Sequence, residues 1–168
     1  MKRLILIGGA MGVGKTAVSQ ELLRLLPEAV WLDGDWCWRM DPFRVTEARK
    51  RMALDNIAHL LGGFLDDEGY ENVIFCWVMD RQEIIDAVLA PLAGKEFELF
   101  SFSLVCGPGT LESRLRQDVD AGLRAPDVIG RSLERLPLYG ALDTEKIGTE
   151  GLSAAGAAQE IARRVAGE

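Results

Sequence analysis

Hydrophobic positions along the chain fall into two alternating patterns. Short apolar runs over 3–7, 29–33, 72–78, 98–105 and 142–147 have the length of strands, and the first three have the β-branched and aromatic content of strands buried on both faces. Between them lie longer stretches, 15–26, 46–67, 81–89, 110–121 and 153–166, in which apolar residues recur every three to four positions, the period of an amphipathic helix. Pro27 and Pro91 close two of these. Strands alternating with crossover-length helices predict an α/β fold of three layers, a parallel sheet of about five strands with helices on both faces. The stretch 123–139 also has a helical pattern and opens after Ala125-Pro126-Asp127, which predicts an extra helical element, bounded near 122–140, before the last strand. No repeat, low-complexity tract or linker interrupts the chain, so a single domain over 1–168 is expected.

The turn between the first strand and the first helix carries the chemistry. Gly9-Ala10-Met11-Gly12-Val13-Gly14-Lys15-Thr16 has the spacing Gly-x-x-x-x-Gly-Lys-Thr, and it both follows a predicted strand and opens a predicted helix. Gly9, Gly12 and Gly14 let the backbone turn its N–H groups toward phosphate oxygens, with Val13 and Ala17 completing the stretch, and the helix N-terminus favours negative charge. In this arrangement Lys15 reaches the outer phosphates of a nucleoside triphosphate and Thr16 the magnesium ion. Mg²⁺-ATP is the expected cofactor, in a P-loop NTPase fold. The chain contains no Asn-Lys-x-Asp guanine-reading segment and no Ser/Gly-rich transporter signature.

A second constellation, Leu32-Asp33-Gly34-Asp35, places two carboxylates at the C-terminal end of the second strand, where ligands of open α/β sheets bind. Phosphoryl transfer needs a metal shell and a group that holds or deprotonates the attacking hydroxyl, and two aspartates two residues apart can divide those tasks. Together with the glycine loop, this segment resembles the small-molecule P-loop kinases related to shikimate, gluconate and adenylylsulfate kinases. The resemblance implies that Asp35 is the acceptor-binding base and that Asp33 contacts magnesium through water. It also implies that the adenine base passes near 143–146 and that the extra helical element is a lid.

Trp36, Trp38 and Phe43 follow the carboxylates and can line a pocket for a ring-bearing acceptor or serve as core. Arg39, Arg44, Arg49, Lys50 and Arg51 outnumber Asp41 and Glu47 there, a positive excess that suits an anionic acceptor, and Arg44 is taken as its contact. The third strand leads to Asp80 and Arg81, a loose match to a metal-binding acid, and both are counted as candidate substrate contacts. Between Lys95 and Lys146 every basic residue is arginine: Arg114, Arg116, Arg124, Arg131 and Arg135. Arginine offers a planar fork for phosphate, so Arg116 and Arg131 are assigned to the nucleotide and Arg124 to transition-state charge. Asp120, Asp127 and Glu134 offer these arginines ordinary intrahelical partners.

A net charge of −7 and pI near 4.8 oppose nonspecific attraction to nucleic acid. Cys37, Cys76 and Cys106 lack paired metal or redox spacing, and the first apolar run is too short for a signal or a span, so reduced thiols in a cytoplasmic protein are expected. His59 has no ligand partner at metal spacing. The leading expectation is an ATP-dependent phosphotransferase acting on a hydroxyl of a small acceptor. The alternatives are a nucleotide or nucleoside kinase and an ATP-responsive binding protein without net transfer.

Overall fold

The computed structural model describes residues 1–167. Five strands, β1 (Arg3–Gly9), β2 (Ala29–Asp33), β3 (Asn72–Cys76), β4 (Glu98–Val105) and β5 (Glu145–Gly148), form one parallel sheet in the order β2-β3-β1-β4-β5. The strand with the densest apolar run sits at its centre. Leu4 to Ile7 are wholly buried because β1 is paired on both edges and covered on both faces. Parallel neighbours require crossover connections, and helices supply them. Helix α1 (Lys15–Leu25) packs against α6 (Ala154–Ala166), and α2 (Glu47–Asp66) packs against α3 (Gln82–Leu89); α4 (Pro108–Asp120) pairs with α5 (Val128–Arg135). Among the described residues, no helix is long and apolar enough to cross a membrane.

The five expected strands are all present; β2 and β4 keep their expected bounds and the other three have shifted ends. β3 stops at Cys76 rather than at 78: the Trp77 N–H still donates to the Ile7 carbonyl at 3.2 Å, but Met79 takes a positive φ of 40° and turns the chain out of the sheet. β5 begins three residues later than expected because 142–144 form a turn, whose Leu142 and Thr144 carbonyls accept hydrogen bonds from Lys146 Nζ at 2.7 Å each. The stretch 123–139 is not one helix. Its α-helical part is Val128–Arg135, and it tightens into a 3₁₀ segment, Leu136–Ala141, at Pro137, which has no N–H to continue the ladder. Helix α4 starts two residues before its expected limit, with Pro108 in the first turn, where a missing N–H costs nothing. Thr46 and Ser153 stand just outside α2 and α6 as caps, accepting from Arg49 N–H at 3.2 Å and Gly156 N–H at 3.0 Å.

Candidate active site

The C-terminal ends of β1, β2 and β3 open onto one another. β1 delivers Gly9 to a loop that ends where α1 begins at Lys15. Two of its glycines are required on different grounds. Gly12 has φ 85°, and a Cβ there would lie 2.5 Å from Leu115 Cδ2, whereas Gly14, at φ 110° and the head of α1, has open space at that position. The tight pressing of Gly12 against α4 therefore coexists with an accessible backbone at Gly14.

Lys15 Nζ donates to the Gly9 and Ala10 carbonyls at 2.8 and 3.0 Å, so the ammonium is folded over its own loop. Burial pushes its pKa down from 10.5 to about 8; Cys76 and the carboxylates of Asp35 and Asp33 oppose the fall, and Arg124 adds to it. Both carboxylates and the Arg124 guanidinium thus act on Lys15 through charge, and Arg124 is itself held by Asp118. Thr16 Oγ1 donates to Asp33 Oδ2 at 3.1 Å, and the other oxygen of this buried aspartate accepts the Asp35 N–H at 3.0 Å. Ala17, beside them on the first turn of α1, is exposed.

Asp35 stands in a 3₁₀ turn, Gly34–Trp38, with its side chain exposed and its Oδ1 accepting the Trp77 indole N–H at 3.2 Å. The glycine between the two aspartates makes that bond possible, since a Cβ on Gly34 would meet the Trp77 ring at 2.5 Å. The turn is tied to α2 by Asn56, whose amide donates to the Cys37 carbonyl at 3.0 Å. The expected aromatic cluster divides in two. Trp36 lies 4.8 Å from Trp31, while Trp38 sits 5.4 Å from Phe43 and 5.7 Å from Trp77. Arg44 is exposed, and its carbonyl accepts from the Arg49 guanidinium at 2.8 Å.

The remaining candidates are distributed more widely. Asp80 is buried, with Arg135 Nη1 3.5 Å from its Oδ2; Tyr139 nearby donates its hydroxyl proton to the Val78 carbonyl at 2.7 Å. Burial raises the Tyr139 pKa, and the Asp80 charge adds to the rise. Arg81 stands exposed at the N-cap of α3, without a side-chain capping bond. Arg124 is paired with Asp118 at 2.9 Å and Arg131 with Asp127 at 3.0 Å. Arg131 and Arg135 border a small cleft shared with Met11 of the glycine loop. Arg116 is paired with Glu112 on the exposed surface of α4.

The arginine that reaches the glycine loop is Arg114. Its guanidinium donates to the Val13 carbonyl at 3.1 Å, to Thr149 Oγ1 at 3.1 Å and to the Thr149 carbonyl at 2.9 Å. Beside it opens a cavity of about 210 Å³ lined by Val13, Gly14, Arg114, Thr149, Leu152 and Ala157. The space next to the glycine loop thus lies over 149–157, a few residues after the 143–146 segment. Helical register carried the signal for Arg114: Leu111 and Leu115 are core, and a residue three after Leu111 shares their face. Nothing in the local sequence marked Thr149 or Trp77 as part of the site.

Solved structures share this architecture. A tunicamycin resistance protein from Deinococcus radiodurans is 21% identical and superposes with a TM-score of 0.71, over 98% of this chain and 96% of that one. A gluconokinase from Sinorhizobium meliloti is 17% identical, with a TM-score of 0.63 over 98% and 95% of the two chains. An adenylylsulfate kinase from Mycobacterium tuberculosis, solved with AMPPNP and adenylylsulfate, is 16% identical, with a TM-score of 0.65 over 98% and 97%. At these identities the likeness is one of fold, and the fold is that of the P-loop kinases. No curated protein matches the chain in sequence. A family profile described as AAA domain matches residues 5–124, a span that holds the glycine loop, the Asp33–Asp35 turn and Arg114, and the chain belongs to that family.

Proposed function

We propose that this protein is a Mg²⁺-ATP-dependent phosphotransferase that moves the γ-phosphate to a hydroxyl of a small acceptor. The observation that carries this reading is the convergence of Lys15, the Thr16–Asp33 pair and Asp35 at the ends of β1 and β2. The residues suit both parts of the cofactor. Gly14 leaves open backbone at the head of a helix for phosphate oxygens. Thr16 and Asp33 supply a hard oxygen pair, matching the habit of Mg²⁺ of binding through one or two side chains together with phosphate and water. When bound, the ion would draw off the charge that builds on the transferring group.

Lys15, folded onto the Gly9 and Ala10 carbonyls, exchanges those partners for phosphate oxygens. Asp33 holds Thr16 and the Asp35 backbone in register, so the metal-side and acceptor-side groups move as one unit. Asp35 receives the acceptor's hydroxyl proton as its oxygen bonds to the γ-phosphorus and the bond to the bridging oxygen breaks, leaving ADP. Arg124, within range of Lys15, and Arg131, beside the glycine loop, supply positive charge from the α4–α5 segment, which acts as a lid. The gluconokinase and adenylylsulfate kinase of the same fold lend weight to a kinase reading.

Replacing Asp35 by Asn tests the assignment. Transfer should fall by roughly three orders of magnitude while ATP affinity changes less than about twofold, because the side chain serves the acceptor and not the donor. Full transfer activity in that variant would remove Asp35 from the mechanism.

A further inference from the structure

We propose that the acceptor carries a flat unsaturated ring beside its reactive hydroxyl, and that Trp77, Trp38 and Phe43 form the surface on which the ring lies. This rests on the phosphotransferase reading and assigns the substrate class of the same site.

With Phe75 behind them, the three rings form a continuous series of four that starts in the core and ends in solvent. Phe75 is wholly buried in β3 and lies 6.4 Å from Trp77; Trp77 and Trp38 are partly buried; Phe43 is 59% exposed. Successive planes meet at 61°, 77° and 82°, so each ring presents an edge to the next instead of stacking on it. Near-perpendicular rings form corners, in which a flat guest can lie against one face while meeting the edge of the neighbour. Such contacts contribute beyond area alone, and an exposed phenylalanine at the rim of a site gains by being covered.

The series is also joined to the reacting group. Trp77 spends its indole N–H on Asp35 Oδ1, which leaves Oδ2 for the acceptor hydroxyl, and its ring presses on Gly34, where no Cβ could be accommodated. A ring lying on Trp77 and Trp38 would therefore have its attached hydroxyl beside the carboxylate. Trp36 belongs to the separate pair with Trp31 and is not part of this surface.

Calorimetric titration of the nucleotide-free protein with matched alcohols tests the proposal without relying on turnover. The panel sets nucleosides and hydroxymethyl arenes against polyols and gluconate, and the same compounds are assayed for phosphate transfer from Mg²⁺-ATP. A ring-bearing alcohol should bind and accept phosphate, and Phe43→Ala and Trp38→Leu, shown to be folded by circular dichroism, should each raise its Kd about tenfold. Trp77→Phe keeps a ring but loses the N–H, so kcat should fall more than KM rises. The proposal is overturned if polyols or gluconate bind more tightly than every ring-bearing alcohol, or if both folded variants leave Kd unchanged. Transfer to a polyol that Asp35→Asn abolishes would sink the ring assignment while leaving the phosphotransferase standing. Ring binding with no transfer to any alcohol would sink the phosphotransferase reading itself.

Discussion

The proposed donor side and the proposed acceptor side of this site are held by different kinds of contact. Around β1 and α1 the functional groups are tied to one another: Lys15 to two loop carbonyls, Thr16 to Asp33, and Arg114 to Val13 and Thr149. Between β2 and α2 there is one such tie to the carboxylate, from Trp77, and the surroundings are rings in edge contact, with Phe43 and Trp36 more than half exposed. A donor side built this way is largely set before its ligand arrives, with Lys15 left to exchange its loop carbonyls for phosphate oxygens. The acceptor side leaves apolar area open, and covering that area is what its ligand supplies.

Replacing Lys15 by Ala should break the donor side most severely, lowering transfer by roughly 10²–10³-fold, the usual effect of removing one preorganised charge donor. Retention of more than a tenth of wild-type turnover would contradict its role. Gly34→Ala attacks the joint between the two sides. Its Cβ forces the Trp77 ring away, so denaturant melts should show a destabilisation of about 1–3 kcal/mol, and the displaced indole N–H should no longer reach Asp35. Unaltered stability together with unaltered kcat would show that Trp77 can move at no cost.

The two arginines of α4 separate a tied group from an untied one. Arg114→Ala should weaken ATP binding about tenfold, since it leaves Val13 and Thr149 acceptors unpaired beside the cavity. Arg116→Ala should change stability by less than about 0.5 kcal/mol, as expected for an exposed pair with Glu112. Equal losses of ATP affinity in the two variants would erase the distinction and return Arg116 to the nucleotide.

Lys15 also gives a smaller, pH-dependent signature. Below about 8 the ammonium is charged in both the folded and unfolded chains, and its burial weakens the fold. Between about 8 and 10.5 the folded chain has released a proton that the unfolded chain still holds, so this contribution to stability rises with pH and levels off above that window. Denaturant melts against Lys15→Met should show that rise. Phosphates favour the charged ammonium, so ATP binding at pH 8 to 9 should take up a proton, read as different calorimetric heats in two buffers. Equal observed heats in two buffers of different ionisation enthalpy would place the Lys15 pKa elsewhere.

Legibility in the sequence follows the same division. The glycine loop was readable because its eight residues are consecutive and its strand-to-helix setting is itself a local pattern. Asp33 and Asp35 were readable for the same reason. The rest depends on packing between distant segments. Trp77 reaches Asp35 across 42 positions, and Arg114 reaches Thr149 across 35, with no local periodicity connecting either pair. Pro137 did carry a local warning that 123–139 could not be one helix, yet apolar residues continue through Leu136, Leu138 and Tyr139, of which Tyr139 is buried and Leu138 exposed. The late start of β5 had no comparable signal, since the turn at 142–144 is fixed by Lys146 bonds to its carbonyls.

The most direct test of the central claim is acceptor-stimulated ADP release with Mg²⁺-ATP, scanned over nucleosides, nucleoside monophosphates, sugars, sugar acids and hydroxylated aromatic compounds, with Lys15→Ala and a no-acceptor reaction as controls. A phosphotransferase should show one acceptor class raising release at least tenfold over the acceptor-free rate, with the stimulation lost in Lys15→Ala. ATP binding with no acceptor raising release above that baseline would contradict the account and favour a nucleotide-responsive binding protein.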